Sequence, residues 1–115
     1  MTEIDAEMNK QRQIVLKPRE KELPNFSELL INVGKNQDKV AFADIFQHFA
    51  PRVKSYMLKL GSVDEIAEEL AQQTLLKIWR KAQLFDPEKA AASTWIFRIA
   101  RNIRIDTLRK QKHFF

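Results

Sequence analysis

The chain has 115 residues, enough for one domain with a modest core, and 44% of them are hydrophobic. It contains no cysteine, which excludes disulfides and thiolate chemistry and fits a reducing, cytoplasmic setting; no apolar run approaches a membrane span, and the N-terminus lacks the apolar block of a signal peptide. The formal net charge of +5 is unevenly spread: residues 95–112 hold six basic side chains (Arg98, Arg101, Arg104, Arg109, Lys110, Lys112) against Asp106, whereas residues 62–76 hold four acids and no base. The first of these stretches suits a polyanion and the second does not.

Residues 1–24 carry five acids and five bases, with few large apolar residues. Pro18 and Pro24 break any long helix there, so this part reads as a mobile or loosely docked extension in which Ile14-Val15-Leu16 could pack on something. Residues 25–33 read as a short helix, with Asn25 and Glu28 as a capping box and Gly34 as its stop. A second helix spans about 38–60, with a core stripe of Phe42, Ile45, Phe46, Phe49, Val53, Tyr56 and Leu60 at spacings of three and four. Pro51 should kink or divide it, and Gly61 ends it. Both glycines thus fall at expected helix stops, where positive φ is needed.

Ser62 and Glu65 resemble a second capping box, opening a third helix that runs to about Ala82. Its apolar arc is Val63, Ala67, Leu70, Ala71, Thr74 and Ile78. The opposite arc is Glu65, Glu69, Gln72, Gln73, Leu76 and Arg80, where Leu76 is an apolar side chain among polar ones, flanked by Leu75 and Trp79. That face is either covered by the N-terminal extension or a docking surface with an apolar centre and polar rim. Residues 83–92 form the break before the last helix, with Asp86-Pro87 as a turn or helix start. No run alternates like a strand. The chain therefore reads as all-α, a compact bundle of about four helices.

The last helix, about 93–112, divides into opposed faces at ~100° per residue. Ile96, Ile99, Ala100, Ile103 and Thr107 lie on one arc. Thr94, Arg98, Arg101, Asn102, Arg109 and Lys112 lie on the other, with Ile105 among them and Trp95 at the border. Arginines along a ridge suit phosphates through counterion release. An Asn amide can read a base edge, and a Trp face can carry an unstacked base. The plain alternative is a solvated charged face with Trp95 in the core.

Thr94-Trp95-Ile96-Phe97-Arg98-Ile99-Ala100-Arg101-Asn102, followed by Asp106 and Arg109-Lys110, resembles the promoter-reading helix of bacterial extracytoplasmic-function (ECF) sigma factors. Upstream, Ala67-Glu68-Glu69-Leu70-Ala71-Gln72-Gln73-Thr74-Leu75-Leu76-Lys77-Ile78-Trp79-Arg80 resembles that family's polymerase-binding helix. The likeness covers about residues 25–112, the family's region two. It implies that Glu69, Gln72, Gln73, Leu76 and Trp79 contact the clamp helices of the RNA polymerase beta-prime subunit. Gln73 departs from the family's usual acid at that position. It also implies that Asn102 contacts a flipped base of the non-template strand in the promoter minus-ten element, that Trp95 meets the end of the duplex, and that Arg98, Arg101 and Arg109 hold phosphates. Phe85 and the loop 86–93 would wall the base pocket, although Phe85 by itself reads as core. Members of the family usually carry a second, helix-turn-helix domain, which this chain, ending at Phe115, stops too early to contain. Anti-sigma proteins commonly cover both faces, so an anti-sigma factor is an expected partner.

Nothing in the sequence supports catalysis or a cofactor. There is no phosphate-cradling glycine loop, and Asp44 and Asp106 have no partner carboxylate at a useful spacing. His48 lacks neighbouring ligands for a metal and reads as a boundary histidine. The rival to a transcription role is a helical protein–protein module whose basic ridge is merely solvated.

Overall fold

The computed structural model describes residues 24–114, with side chains described to residue 111. The expected mobile extension at residues 1–24 therefore lies, but for Pro24, outside the described residues. Four helices follow in chain order: α1 (Phe26–Asn36), α2 (Lys39–Lys59), α3 (Asp64–Lys81) and α4 (Ala92–Phe114), with a short 3-10 turn (Ala82–Leu84) after α3. No strand occurs among the described residues, as the sequence led us to expect.

Asn25 caps α1 as expected, its side chain accepting a hydrogen bond from the Glu28 amide at 3.2 Å. Gly34, however, does not stop this helix. α1 runs on to Asn36 and ends where Gln37 takes φ 50. Gly34 is needed for a close approach instead: a Cβ there would lie 2.8 Å from the backbone N and Cα of Gln83. The helix and the 3-10 turn touch main chain to main chain at this point.

α2 is capped by Asp38, which accepts from the Ala41 amide at 3.0 Å. It runs through Pro51 without being divided. Gly61 does end it, at φ 101. The Gly61 amide donates to the Leu58 carbonyl and the Ser62 amide to the Met57 carbonyl, both at 3.0 Å, which is the Schellman pattern. Ser62 is occupied in that turn, so the second capping box does not form. α3 starts one residue later than expected, with Val63 at the cap position and no side-chain cap. Val63 is accordingly exposed rather than on the core arc.

The core gathers Leu30 and Val33 of α1, Ile45, Phe49, Val53 and Met57 of α2, Leu70, Leu75 and Ile78 of α3, and Ile96, Ala100 and Ile103 of α4. On α2 the buried row is Ala41, Ile45, Phe49, Val53 and Met57, a strict i, i+4 ridge of the kind that fits the groove of a neighbouring helix. The broader stripe read from sequence is therefore only partly core. Phe42 and Tyr56 are half-buried, and Phe46 and Leu60 are exposed. Thr74, the one buried polar residue in the core of α3, donates through Oγ1 to the Leu70 carbonyl at 2.7 Å, so its hydroxyl is satisfied.

α4 packs mainly on α3 and reaches α2 along one edge. The Phe97 ring meets Phe49 and Tyr56 edge-on at 6.4 and 5.4 Å, and farther along the Arg104 guanidinium donates through Nη2 to the Leu60 carbonyl at 2.9 Å. A cation at a helix C-terminus is favourable because the last carbonyls there lack partners. Arg104 is thereby turned away from the other arginines of α4. At the same end, Lys54 of α2 pairs with Asp64 and Glu68 of α3 at 3.3 and 3.1 Å, and these two carboxylates raise its pKa.

Candidate functional site

Two surfaces stand out, one between α2 and α3 and one along α4. On α3, Glu69, Gln72, Gln73 and Leu76 are all exposed and fall within ~100° of helical arc. Leu76 keeps 49% of its surface open, so no described residue seals it. The Gln73 amide donates to the Glu69 carboxylate at 3.3 Å, one turn away. Trp79 sits at the edge of this arc, half-buried, with its ring 5.2 Å from that of Phe42 in an edge-on contact.

These α3 residues form only one wall. Phe42 and Phe46 of α2 supply the other, and a hollow of about 490 Å³ lies between them, lined by Lys39, Phe42, Phe46, Gln72, Leu76 and Trp79. Phe46 keeps 43% of its surface exposed. The sequence reading put Phe42 and Phe46 in the core because three- and four-residue spacing marks a stripe without fixing its buried width. The signal available was finer: both lie off the i, i+4 row that runs from Ala41 to Met57.

On α4, Arg98, Arg101, Asn102 and Arg109 are all exposed, as is Ile105 between them. They occupy one arc of about 100°, opposite the buried Ile96, Ala100 and Ile103. None of the three arginines forms an ion pair with another described residue. Trp95 borders this ridge, half-buried, and its ring meets Phe85 edge-on at 5.4 Å. Phe85 itself is only 7% exposed. It backs Trp95 from the core side, so its ring offers little open face to wall a pocket. The loop between is a turn, as expected: the Asp86 carboxylate accepts from the Glu88 amide at 2.9 Å, and the Asp86 carbonyl from the Lys89 amide at 3.0 Å. Leu84, just before it, is exposed.

His48 belongs to neither surface. It packs between Phe26 and Phe49, with ring centroids at 4.5 and 4.8 Å. Burial, and secondarily the charge of Arg52, push its pKa down. Among the described residues there is no cluster of three or more His, Cys, Asp or Glu side chains that could hold a metal. No helix there is long and apolar enough to cross a membrane.

The family model described as sigma-70 region 2 matches residues 45–114, which takes in most of α2 and all of α3 and α4. The chain belongs to the sigma-70 region 2 family. Among its relatives, the ECF RNA polymerase sigma factor RpoE of Cereibacter sphaeroides is 52% identical over 84 residues, covering 73% of this chain and 46% of that protein. The ECF sigma factor SigW of Bacillus subtilis is 37% identical over 79 residues, covering 68% of this chain and 41% of that protein. A crystal structure of Rhodobacter sphaeroides SigE in complex with the anti-sigma ChrR superposes with a TM-score of 0.72 at 50% identity, over 76% of this chain and 53% of that one. This region 2 domain thus spans about half the length of the proteins it matches.

Proposed function

We propose that this chain serves as the region 2 domain of an ECF sigma factor in transcription initiation, docking on the beta-prime clamp helices of RNA polymerase through α3 and opening the promoter minus-ten element with α4. One observation carries the reading: Gln72, Leu76 and Trp79 stand together on one face while Arg98, Arg101, Asn102 and Arg109 stand on a single arc of another helix. A polymerase-bound initiation factor needs both surfaces on one rigid body.

The division of work follows from the side chains. Leu76 gives a desolvated centre to the protein interface, and Glu69, Gln72 and Gln73 give rim groups that fix register. Arg98, Arg101 and Arg109 neutralise phosphates without reading sequence. Asn102 presents a donor and an acceptor on one planar group, which suits a base edge. Unstacking a base costs a few kcal/mol, and stacking on a side chain such as Trp95 returns about 1–3 kcal/mol. An anti-sigma protein that covers these faces would hold the domain inactive; the bound anti-sigma in the R. sphaeroides SigE structure supports expecting such a partner.

The experiment is capture by core polymerase, comparing wild type with Leu76→Asp. Because Leu76 is half exposed, the variant should fold. Capture should fall by roughly 30-fold or more, the size of a central interface residue. Capture at the wild-type level would remove the docking face.

A further inference from the structure

Ile105 is the apolar member of the α4 ridge. It is 37% exposed, and the buried row of Ile96, Ala100 and Ile103 lies on the opposite side of the helix. Counted at ~100° per residue, it stands within about 60° of each of Arg98, Arg101, Asn102 and Arg109. Core packing does not call for an isoleucine at this place. Helix propensity does not call for one either, because a β-branched side chain loses rotamer freedom against the preceding turn.

Two features lead a strand across it. Asn102 and Arg109 are ~10 Å apart along the helix axis and nearly in line. Ile105 lies between them, ~4.5 Å along the axis from Asn102, so an extended strand that touches both passes over its side chain. Asp106, the one acid of residues 95–112, is exposed on the other side of Asn102. It repels phosphates there, while all three arginines draw them to the side on which Ile105 stands.

Ile105 can neither donate nor accept a hydrogen bond. It can only bury apolar surface, and the apolar group that marks one base edge apart from the others is the thymine C5-methyl. We propose that Ile105 is a specificity-determining residue: it packs on the C5-methyl of a thymine next to the base that Asn102 contacts. This rests on the DNA reading of α4 given above and adds a second read position to it. The ~4.5 Å step from Asn102 to Ile105 is close to one nucleotide step of ~3.4 Å along a strand. Asn102 reads by hydrogen bonds and Ile105 by taking a methyl group out of water, so the two preferences are chemically separable.

The test measures binding of the full chain to minus-ten single strands that carry thymine or deoxyuridine at each position in turn. The two bases differ only in that methyl. The wild type should bind thymine about fourfold more tightly at one position, the worth of one buried methyl-sized group. Ile105→Ala should bind both bases alike there. Its thermal midpoint should hold or rise, because alanine is the better helix former, and its salt dependence should match the wild type, because no charge has changed. Leu108 is also exposed on α4 but stands about 120° round from Asn102, so Leu108→Ala should keep the thymine preference. A wild type indifferent to the methyl at every position, with Asn102→Ala still altering base preference, overturns the role of Ile105 and leaves the ridge standing. A preference that survives Ile105→Ala, or one that Leu108→Ala also abolishes, overturns it too. So does a loss in Ile105→Ala that is equal for thymine and deoxyuridine at all positions, as from a sugar contact. Indifference to the methyl together with unaltered base preference in Asn102→Ala overturns the role of Ile105 and the DNA reading together.

Discussion

The α2–α3 groove and the α4 ridge are made of opposite materials. The groove is aromatic and aliphatic, with Phe42, Phe46, Leu76 and Trp79 exposed in part and a single cation, Lys39, at its edge. The ridge is three arginines and an amide on one arc of one helix, with Trp95 at its end. An apolar surface draws its affinity from removing area from water, which salt hardly weakens; a row of cations draws its affinity from displacing counterions, which salt weakens steeply. The contrast also shows how each surface is held. The ridge needs only that α4 be helical and correctly rolled, and the Phe97 contacts with Phe49 and Tyr56 and the Arg104 bond to the Leu60 carbonyl fix that roll. The groove needs two helices about thirty residues apart in sequence to meet at the correct depth.

The most severe way to separate the two is to disturb the support beneath one of them. Gly34→Ala forces a Cβ to within 2.8 Å of the Gln83 backbone, which cannot yield as a side-chain tip could. We expect about 1–3 kcal/mol of destabilisation, the range for overpacking, read as a lower midpoint in urea. The same push moves the turn that leads to Phe85 and hence to Trp95, so binding of minus-ten single strand should suffer more than polymerase capture. A Gly34→Ala domain as stable as the wild type would mean that the turn shifts freely.

Salt sharpens the comparison next. If three arginines contact phosphates at a slope of about 0.7 each, raising salt from 50 to 200 mM weakens single-strand binding by roughly 10- to 20-fold. The interface centred on Leu76 should change far less over the same range. A ridge whose binding ignores salt would return the chain to the protein–protein reading.

The smallest effect is a pH dependence that neither surface should share. Burial and Arg52 depress the His48 pKa, so protonation is harder in the folded state than in the unfolded one, where the value is about 6.5. The resulting stability is present above that value and is lost as pH falls through the folded pKa. The domain should therefore melt a little earlier as pH is taken from 7 towards 5, and a variant with His48→Gln should lose this part of the slope. An unchanged slope would assign it to other groups.

Much of the ridge was legible from sequence because a helix converts spacing into angle without knowledge of its neighbours. Arg98, Arg101, Asn102 and Arg109 needed only the ~100° step, and Arg104 was separable from them by the same arithmetic. Most of the core of α3 was legible for the same reason, from Ala67 to Ile78, but Leu75, read as flanking Leu76 on the opposite face, is fully buried. What failed were features decided by contact between elements. Gly34 looks like a helix stop in one dimension, yet it serves a close approach to residue 83. Ser62 looks like a cap, yet the Schellman turn at Gly61 claims its amide and the next helix begins at Asp64. Phe46 looks like core, yet the α2 ridge that buries runs through Ile45 and Phe49 and leaves Phe46 to the groove. Phe85, by contrast, reads by itself as core, and it is buried behind Trp95; only the family resemblance assigned it to the pocket wall.

The central claim is that one molecule keeps polymerase docking and strand reading on separate faces, and Asn102→Ala tests it most directly. The measurement is open-complex formation by the full chain with core polymerase on a set of minus-ten variants, alongside polymerase capture by the same protein. The account predicts unchanged capture and a loss of about 1–3 kcal/mol of discrimination at one promoter base. Undiminished discrimination, or capture that falls together with it, would contradict the account.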